Sequence, residues 1–403
     1  MPSQVQLQDV VEFIADCEHR TAPAALRDAA YAFSIGTPNI RGGRLLIDSA
    51  KPVDRPTYES WTQRGRPRAE DLILAREAPV GDVARVDGNQ RLCLGQRTVL
   101  LRPNQRKVNP RFLHYLLLSP PIQQWMQDRA AGSTVAHLNV EDVYKIDLGA
   151  LPPLAEQRAI AEVLGALDDK IEANRRNVTL VSDFIAATWL GCFGVSSGSG
   201  WQTEPIGSLA SVAGGSTPST KVADFWGGTV AWATPRDLAR LSSAPLLDTE
   251  RHITELGLQR ISSGLLPVGT VLLSSRAPIG YLAITEVPLA VNQGFIALVA
   301  GGRVSNLYLW QWLRFHLDEV ISRANGTTFL EVSKANFRPM PIEVPPEGLM
   351  RSWTASAATQ YRLLVAKEQE SVRLTQLRDT LLPKLLSGEL RVRDAESLVE
   401  EAV

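Results

Sequence analysis

Apolar residues recur at alternating steps of three and four residues in the middle of the chain. Such a heptad pattern is typical of a helix that packs against a second helix along a coiled-coil seam. The positions of this first seam are Ile160, Leu164, Leu167, Ile171, Asn174, Val178, Val181, Ile185 and Thr188. A single helix cannot bury such a stripe alone, so the pattern predicts a partner helix.

The same stepping returns near the C-terminal end of the chain. Each position of this second seam lies 194 residues beyond a position of the first, as Ala358 lies beyond Leu164. The second-seam positions are Ala358, Tyr361, Val365, Glu368, Val372 and Thr375. Polar Glu368 stands where the first seam has Asn174, and a buried polar position of this kind fixes helix register at some cost in stability. We predict that the two helices pair; the alternative is two ordinary amphipathic helices, each packed on its own domain.

The rest of the chain repeats as well. The motif APVG at Ala78–Gly81 returns as APIG at Ala277–Gly280. The segment CLGQR is answered by AVNQG, and the helical pattern NPRFLHYLLL by NLYLWQWLRFH. A period of about 195 residues is too long for a solenoid repeat. The chain is therefore interpreted as two copies of a domain plus a long helix, with approximate two-fold symmetry.

Each copy is predicted to be a mixed α/β domain, because buried strand patterns such as Asp71–Ala75 and Val271–Ser275 alternate with helical ones. Short helices are predicted at Gln6–Ala15 and Ala22–Phe33, and a pair of strands at Leu92–Leu94 and Thr98–Leu101. The predicted organisation is a first domain at 1–150, a helix at 151–193, a Gly/Ser-rich linker at 194–200, a second domain at 201–345, a second helix at 346–390 and a flexible tail at 391–403.

Composition narrows the class of protein only a little. The 403 residues suffice for two or three domains, and 44% hydrophobic with 21% charged residues is ordinary for a soluble globular protein. A formal net charge of −1 neither indicates nor excludes nucleic-acid binding, which needs only a local basic face. The N-terminal residues lack the charged and then apolar segments of a signal peptide. No apolar run reaches the ~18 residues of a membrane span. We therefore expect a cytoplasmic protein.

Motifs for catalysis are missing from the sequence. It contains no GxxxxGK[ST] phosphate loop, no GxSxG elbow, no HExxH and no GxGxxG after a strand. The three cysteines and five histidines do not cluster, so no metal site is predicted. The carboxylates of Asp168 and Asp169, on the first long helix, are interpreted as part of a solvated face rather than as a nuclease site. We expect a chain without catalysis of its own.

A duplicated chain suits double-stranded DNA, whose backbone is itself two-fold symmetric. Divergence of the two copies would let each read a different short sequence. The same duplication would also suit a protein scaffold that presents two equivalent sites to two copies of a partner. Both hypotheses follow from the repeat alone.

The candidate DNA contacts lie in repeated, glycine-rich or strand-end loops. Hydroxyl groups can donate to phosphates, while arginine pairs with guanine and glutamine with adenine in the major groove. The candidates in the first half are Arg41, Arg44, Arg76, Gln96, Arg97, Thr134 and His137. Those in the second half are Ser216, Thr217, Lys221, Arg236, Arg276, Gln293, Thr327 and Thr328. Trp226 and Trp232 are interpreted as packing residues.

With these motifs the chain resembles the specificity subunits of type I restriction–modification systems. The resemblance covers nearly the whole chain and is carried by GGSTPS…FWGG…AWATPRDL, the two APxG turns, LPPLAEQRAI…LDDKIEANRR and the terminal LRDTLLPKLLSGEL. In that family each half is a target recognition domain that reads one portion of a split DNA sequence. The two conserved helices form an antiparallel coiled coil that sets the spacing. The resemblance implies the same pseudo-two-fold α/β (α+β) fold here.

The family also implies partners and cofactors. Besides double-stranded DNA, the partners would be two modification subunits, which hold S-adenosylmethionine and methylate adenine, and restriction subunits, which use ATP and Mg. This chain would hold no cofactor or metal itself. It would select the DNA sequence and assemble the other subunits. Its first domain has SIGTPNIRGGRL in place of the GGSTPS…FWGG block, so the two half-sites are expected to differ. A scaffold without a DNA role and a solitary methyltransferase remain the alternatives, although no cofactor motif supports the latter.

Overall fold

The computed structural model describes residues 4–88, 90–130, 136–194, 200–326 and 330–402. The chain forms two compact units. The first consists of residues 1–170 and 374–403, and the second of residues 171–373. Each unit therefore contains one α/β domain together with a segment of each long helix.

The domain of the first unit combines short strands with short helices. Its strands are β1 (Val11–Asp16), β2 (Ala32–Ile35), β3 (Ile40–Arg41), β4 (Arg44–Leu45), β5 (Lys51–Val53), β6 (Leu72–Ala75), β7 (Val83–Arg85), β8 (Leu92–Leu94) and β9 (Thr98–Pro103). Its helices are α1 (Leu7–Val10), α2 (Arg55–Trp61), α3 (Pro110–Leu118), α4 (Pro120–Ala130) and α5 (Val140–Tyr144).

An antiparallel sheet with the order β1-β9-β6-β7 forms the centre of this domain. Every residue of β6 is fully buried, which explains why this strand reads as a continuous apolar run rather than an alternating one. A second sheet has the order β5-β2-β8, with β2 parallel to β8. Helix α3 begins where the sequence predicts it, because the Asn109 side chain accepts a hydrogen bond from the backbone of Phe112 and Pro110 occupies the first turn.

The long helix α6 (Leu154–Phe193) follows, and then the domain of the second unit. The strands there are β10 (Gln202–Pro205), β11 (Ala210–Ala213), β12 (Trp226–Ala233), β13 (Pro245–Leu246), β14 (His252–Ile253), β15 (Val271–Ser274), β16 (Leu282–Thr285), β17 (Leu289–Val291), β18 (Phe295–Ala300) and β19 (Pro341–Val344). The helices are α7 (Ile206–Leu209), α8 (Pro235–Ala239), α9 (Glu255–Leu258), α10 (Asn306–Phe315), α11 (Leu317–Ser322) and α12 (Lys334–Phe337). The chain ends with α13 (Glu347–Leu386) and α14 (Val392–Glu400).

The second domain repeats the topology of the first. Its main sheet has the order β11-β18-β15-β16-β13, and the small sheet β14-β12-β17 again has a parallel pair, β12 with β17. The APVG and APIG turns follow the central strands β6 and β15, and both contain a cis proline peptide bond. The duplication inferred from the sequence is thus present at the level of strand pairing.

Strand register corrects one internal alignment. Ile35 of β2 pairs with Leu94, and Ala233 of β12 pairs with Val291 at the equivalent position. The turn after Ile35 in the first domain, which reads GTPN, therefore corresponds to TPRD after Ala233, and not to the GGSTPS block as expected. The counterpart of GGSTPS is the loop around Thr21, because β1 and β11 both lead into these loops. The dipeptide TP occurs in the GTPN turn, in the GGSTPS block and in the TPRD turn, so spacing alone could not decide which of these segments are equivalent.

Four other local predictions are wrong. Residues 11–16 form the edge strand β1 instead of a helix, because pairing with β9 outweighs their helical spacing. The predicted helix at Ala22–Phe33 contains only a 3-10 turn at Arg27–Ala29 and the start of β2. The strands β8 and β9 exist, but they lie in different sheets rather than pairing. The expected flexible tail instead contains α14, with Ala395 and Val399 buried.

The long helices contact each other within each unit. In the first unit, Asp168 of α6 binds Arg378 of α13 at 2.7 Å. In the second, the rings of Phe193 and Trp353 are 5.4 Å apart. The first seam is buried as predicted between Ile160 and Val178, and Ile185 is buried as well, while Val181 and Thr188 are half-buried.

The second seam is shifted along a stretch of α13 by a single residue from the predicted positions. Val372 is 45% exposed, whereas Leu364, Ser371 and Leu374 are buried. Two predicted seam residues are instead bound to the second domain. The Tyr361 hydroxyl donates to Glu286, and the Glu368 carboxylate accepts from Ser242 and Ser243. Contacts with its own domain therefore set the rotation of α13, which an alignment of heptads could not reveal.

Neither carboxylate of the Asp168–Asp169 pair belongs to a purely solvated face. Asp168 accepts from the Tyr115 hydroxyl at 2.5 Å and pairs with Arg378. Asp169 pairs with Arg111 at 2.6 Å. Because Arg111 and Tyr115 lie on α3, this network ties the first domain to both long helices within the first unit.

Candidate nucleic-acid interface

Three chain segments meet at the end of the central strand in each domain. In the first domain, the backbone of Arg76 donates to Arg97 at 2.8 Å and accepts from Leu138 at 3.0 Å. In the second, Ser275 donates to Gly294 at 2.8 Å and accepts from Val332 at 2.9 Å. The loop that follows β1 or β11 reaches the same place through a Thr–Gln hydrogen bond. These segments form what we call the loop cluster of each domain.

The Thr–Gln bond is common to both clusters. The Thr21 hydroxyl donates to Gln96 Oε1 at 3.2 Å, and the Thr217 hydroxyl donates to Gln293 Oε1 at 2.7 Å. All four side chains are exposed. The sequence identified Gln96, Gln293 and Thr217 as candidates but missed Thr21, because the TAP context of Thr21 only faintly resembles TPS.

The charged members of the clusters differ between the domains. In the first, Glu77 binds Arg97 at 2.8 Å and His137 at 2.6 Å. In the second, the equivalent bridge joins Arg276 to Glu331 at 3.1 Å. The acidic and the basic partner have thus exchanged places. The two clusters present a common backbone frame with different charge patterns.

Arg76, a candidate DNA contact, is not accessible to DNA in this structure. Its side chain is buried, and it binds the Asp16 carboxylate at 3.0 Å and the Leu138 carbonyl at 3.2 Å. The reason is its position at the end of a fully buried strand, where the guanidinium turns inward to neutralise Asp16. A buried cation without such a partner would be strongly destabilising.

The other candidates of the first domain are more accessible. Arg41 is exposed on the β3–β4 hairpin, and Arg44 on the same hairpin is half-buried. Burial raises the pKa of the nearby Asp82 carboxyl, and the charge of Arg41 opposes that rise. Gly42 and Gly43 have positive φ values, which this two-residue turn requires. Thr134 lies outside the described residues.

In the second domain Ser216 has a structural role rather than the predicted phosphate contact. Its hydroxyl donates to the Arg260 carbonyl at 3.0 Å and accepts from the Ser262 backbone at 3.3 Å, so it fastens two loops together. Lys221 and Arg236 are exposed and form no ion pair within the described ranges of the chain. Thr327 and Thr328 lie outside the described residues.

Sequence reasoning missed a set of arginines stacked on aromatic rings at the small sheets. Arg20 lies 4.4 Å from the ring of Trp61, and Arg91 lies 4.4 Å from Tyr31. In the second domain, Arg251 lies 3.6 Å from Trp226. A stacked guanidinium keeps its N–H edge available for phosphate. A further pair, Arg66 at 5.4 Å from Tyr58, was indicated by RPTYESWTQRGRPR at residues 55–68, where arginines and aromatics are interleaved.

Two kinds of feature, metal-binding clusters and membrane-spanning helices, were sought among the described residues. Within the described ranges, no group of three or more His, Cys, Asp or Glu side chains could hold a metal ion. No helix among the described residues is long and apolar enough to cross a membrane.

Two α/β domains with the same loop cluster, each packed on segments of two long helices, define a protein of tandem, duplicated domains. The chain belongs to the family of the type I restriction modification DNA specificity domain, whose family model matches residues 63–180 and 198–348. Each of the two domains therefore contains part of the chain that matches a type I restriction modification DNA specificity domain.

Individual relatives agree with this membership. The chain is 39% identical over 147 residues to the type I restriction enzyme MjaIX specificity subunit of Methanocaldococcus jannaschii, which covers 36% of this chain and 34% of that protein. It is 24% identical over 196 residues to the HindI specificity subunit of Haemophilus influenzae, covering 47% and 42%. These alignments span between a third and a half of the relatives' lengths. The crystal structure of the S subunit from M. genitalium shares the fold, with a TM-score of 0.55, 15% identity and 96% of each chain covered.

Proposed function

We propose that the chain reads a split, asymmetric DNA sequence, with each domain reading one half-site. The observation that carries the proposal is the pair of loop clusters, which have the same backbone frame but exchanged charges. A common frame suits one kind of ligand, the DNA duplex. Different side chains on that frame suit two different short sequences.

The long helices would serve as the spacer and as a docking surface for two modification subunits. In support, Leu180 and Phe184 lie one helical turn apart on α6 and are 68% and 52% exposed. Large apolar side chains that face solvent together are typical of a protein-binding surface. S-adenosylmethionine would then be held by the modification subunits, and ATP and Mg by the restriction subunits, with none of these in this chain. The complex would act in the cytoplasm, where the DNA lies.

Methylome sequencing tests the proposal in the source organism. Deletion of the chain should abolish a split motif that contains methylated adenine, and the intact chain supplied in trans should restore it. If the motif survives the deletion, the proposal is wrong. By contrast, a protein scaffold without a DNA role predicts that the sequence of the methylated motif stays the same when one domain is exchanged.

A domain exchange makes the test sharper. When residues 201–345 are replaced by the second domain of another specificity subunit, one half of the split motif should change and the other should stay the same. The reciprocal exchange of residues 1–150 should change the other half. A change in both halves from a single exchange would contradict independent reading by the two domains.

A further inference from the structure

The same Thr–Gln pair occupies the same position in two domains that otherwise differ. Gln96 and Gln293 each stand two residues before the first residue of the equivalent strands β9 and β18. Each accepts a hydrogen bond from a threonine in the loop that follows β1 or β11. The neighbouring cluster residues are not shared, since Glu77 is replaced by Arg276 and His137 by Glu331.

What two unequal DNA readers have in common is the backbone of the duplex. If the two domains read different bases, side chains that read bases must differ between them, as the charged cluster residues do. Side chains that bind phosphate can be the same in both domains, because every half-site presents the same phosphates. The retention of the Thr–Gln pair therefore favours a contact that is independent of sequence.

The geometry of the amide suits a phosphate. The threonine hydroxyl donates to Oε1, so it fixes the orientation of the amide and leaves Nε2, a donor, on the other side. In the second domain Nε2 of Gln293 makes no hydrogen bond to the described residues. In the first domain Nε2 of Gln96 uses one N–H for the His19 carbonyl at 3.3 Å and has a second N–H to give.

We propose that Gln96 and Gln293, each oriented by its threonine, donate a side-chain N–H to a backbone phosphate in the half-site that its domain reads. This inference rests on the proposed function. It makes the glutamines positioning residues that place each domain on the duplex, whereas base identity is read by the residues that differ between the clusters.

Substitution by glutamate gives the sharpest test. Gln293→Glu keeps an acceptor for the Thr217 hydroxyl, but it removes the donor and adds a negative charge that a phosphate repels. The full chain would be assembled with the host's modification subunits. Its affinity would be measured on a duplex carrying the methylated motif and on one with both half-sites scrambled. We expect the affinity for both duplexes to fall roughly tenfold or more. The sequence of the motif that the complex methylates should stay the same.

Two further variants separate the explanations. Gln293→Met removes the neutral donor, and with it the acceptor of Thr217, without changing the charge, so affinity should fall roughly tenfold while the slope of affinity against salt concentration stays the same. Gln8→Glu adds the same charge at an exposed position of α1, near the opposite end of β1 from Thr21, and should leave affinity nearly unchanged. Gln96→Glu should behave like Gln293→Glu.

Each other outcome has a distinct meaning. Relaxed methylation at one base position would make the glutamine a base reader and overturn the proposal. Unchanged affinity together with a lowered melting temperature would leave only a loop-fastening role, which also overturns it. If the complex that contains the unsubstituted chain does not bind its motif more tightly than the scrambled duplex, the proposed function itself is wrong.

Discussion

Burial decides what an arginine does in this chain. Arg76 and Arg236 both follow buried strands and precede or enter turns, so both were reasonable DNA contacts in the sequence. The structure buries Arg76 against Asp16 and leaves Arg236 exposed on α8. The sequence could not separate them, because the deciding residue Asp16 is 60 positions away. The exposed Lys221 was open to the same uncertainty.

His114 makes stability dependent on pH. Its imidazole is buried in α3, and burial lowers its pKa from 6.5 to about 4. Between these two values the unfolded chain takes up a proton that the folded chain refuses, so stability is full above pH 6.5 and is lost as the pH falls towards 4. We expect the melting temperature to drop between pH 7.5 and pH 5.

Replacing the imidazole checks this assignment. His114→Phe removes the titrating group while keeping a ring of similar size. The variant should therefore lose less of its melting temperature between pH 7.5 and pH 5 than the unmodified chain does. Thermal denaturation followed by circular dichroism gives the comparison, and equal losses in both proteins would contradict the role of His114.

At the scale of elements, the first long helix was predicted better than the second. The seam of α6 was predicted from its apolar positions alone, since a heptad stripe must be buried whatever the partner. In α13 the exposed Val372 and the buried Leu364 show a rotation of about one residue. The cause is that Tyr361 and Glu368 bind the second domain, a contact between segments more than 70 residues apart.

Asn174 is the costly position of the first seam. Its side chain is 1% exposed, and Nδ2 makes no hydrogen bond to the described residues. A buried donor without a partner destabilises a protein by about 1–3 kcal/mol. Asn174→Leu should therefore raise the melting temperature, as measured by differential scanning calorimetry.

Glu368→Leu is the matched control for that substitution, because the heptad alignment treats the two positions as equivalent. It removes the acceptor that Ser242 and Ser243 share. We expect the melting temperature to fall rather than rise. Opposite signs would show that the two polar positions serve different purposes, and a fall in both variants would contradict our account of Asn174.

At the scale of the whole molecule, the proposed function relates a duplicated fold to two half-sites of a split DNA motif. A spacer role for α6 and α13 predicts that their length sets the gap in the DNA motif. Deleting the facing heptads Asn174–Leu180 and Ala366–Val372 would shorten both helices by about 10 Å. At about 3.4 Å per base pair, the gap in the methylated motif should shrink by about three base pairs.

The length of the gap is read by methylome sequencing of a strain that carries the shortened chain. A matched control deletes a heptad from α6 alone, which breaks the antiparallel register and should abolish methylation rather than shift it. An unchanged gap in the double deletion would contradict the spacer hypothesis. If both strains lose methylation, the test becomes whether the shortened chain still melts cooperatively, which separates a folding defect from a failure of the spacer hypothesis.

The sequence by itself determined the duplication, the two long helices and the absence of familiar catalytic motifs, because repeats, heptads and motif spacing are properties of local residue order. It also indicated the loops around Gln96 and Gln293. Only the tertiary structure decided which members of those loops are available to a ligand. Strand register paired Thr21 with Gln96, buried Arg76 and turned α13 onto its domain, since each of these depends on contacts between residues distant in the chain.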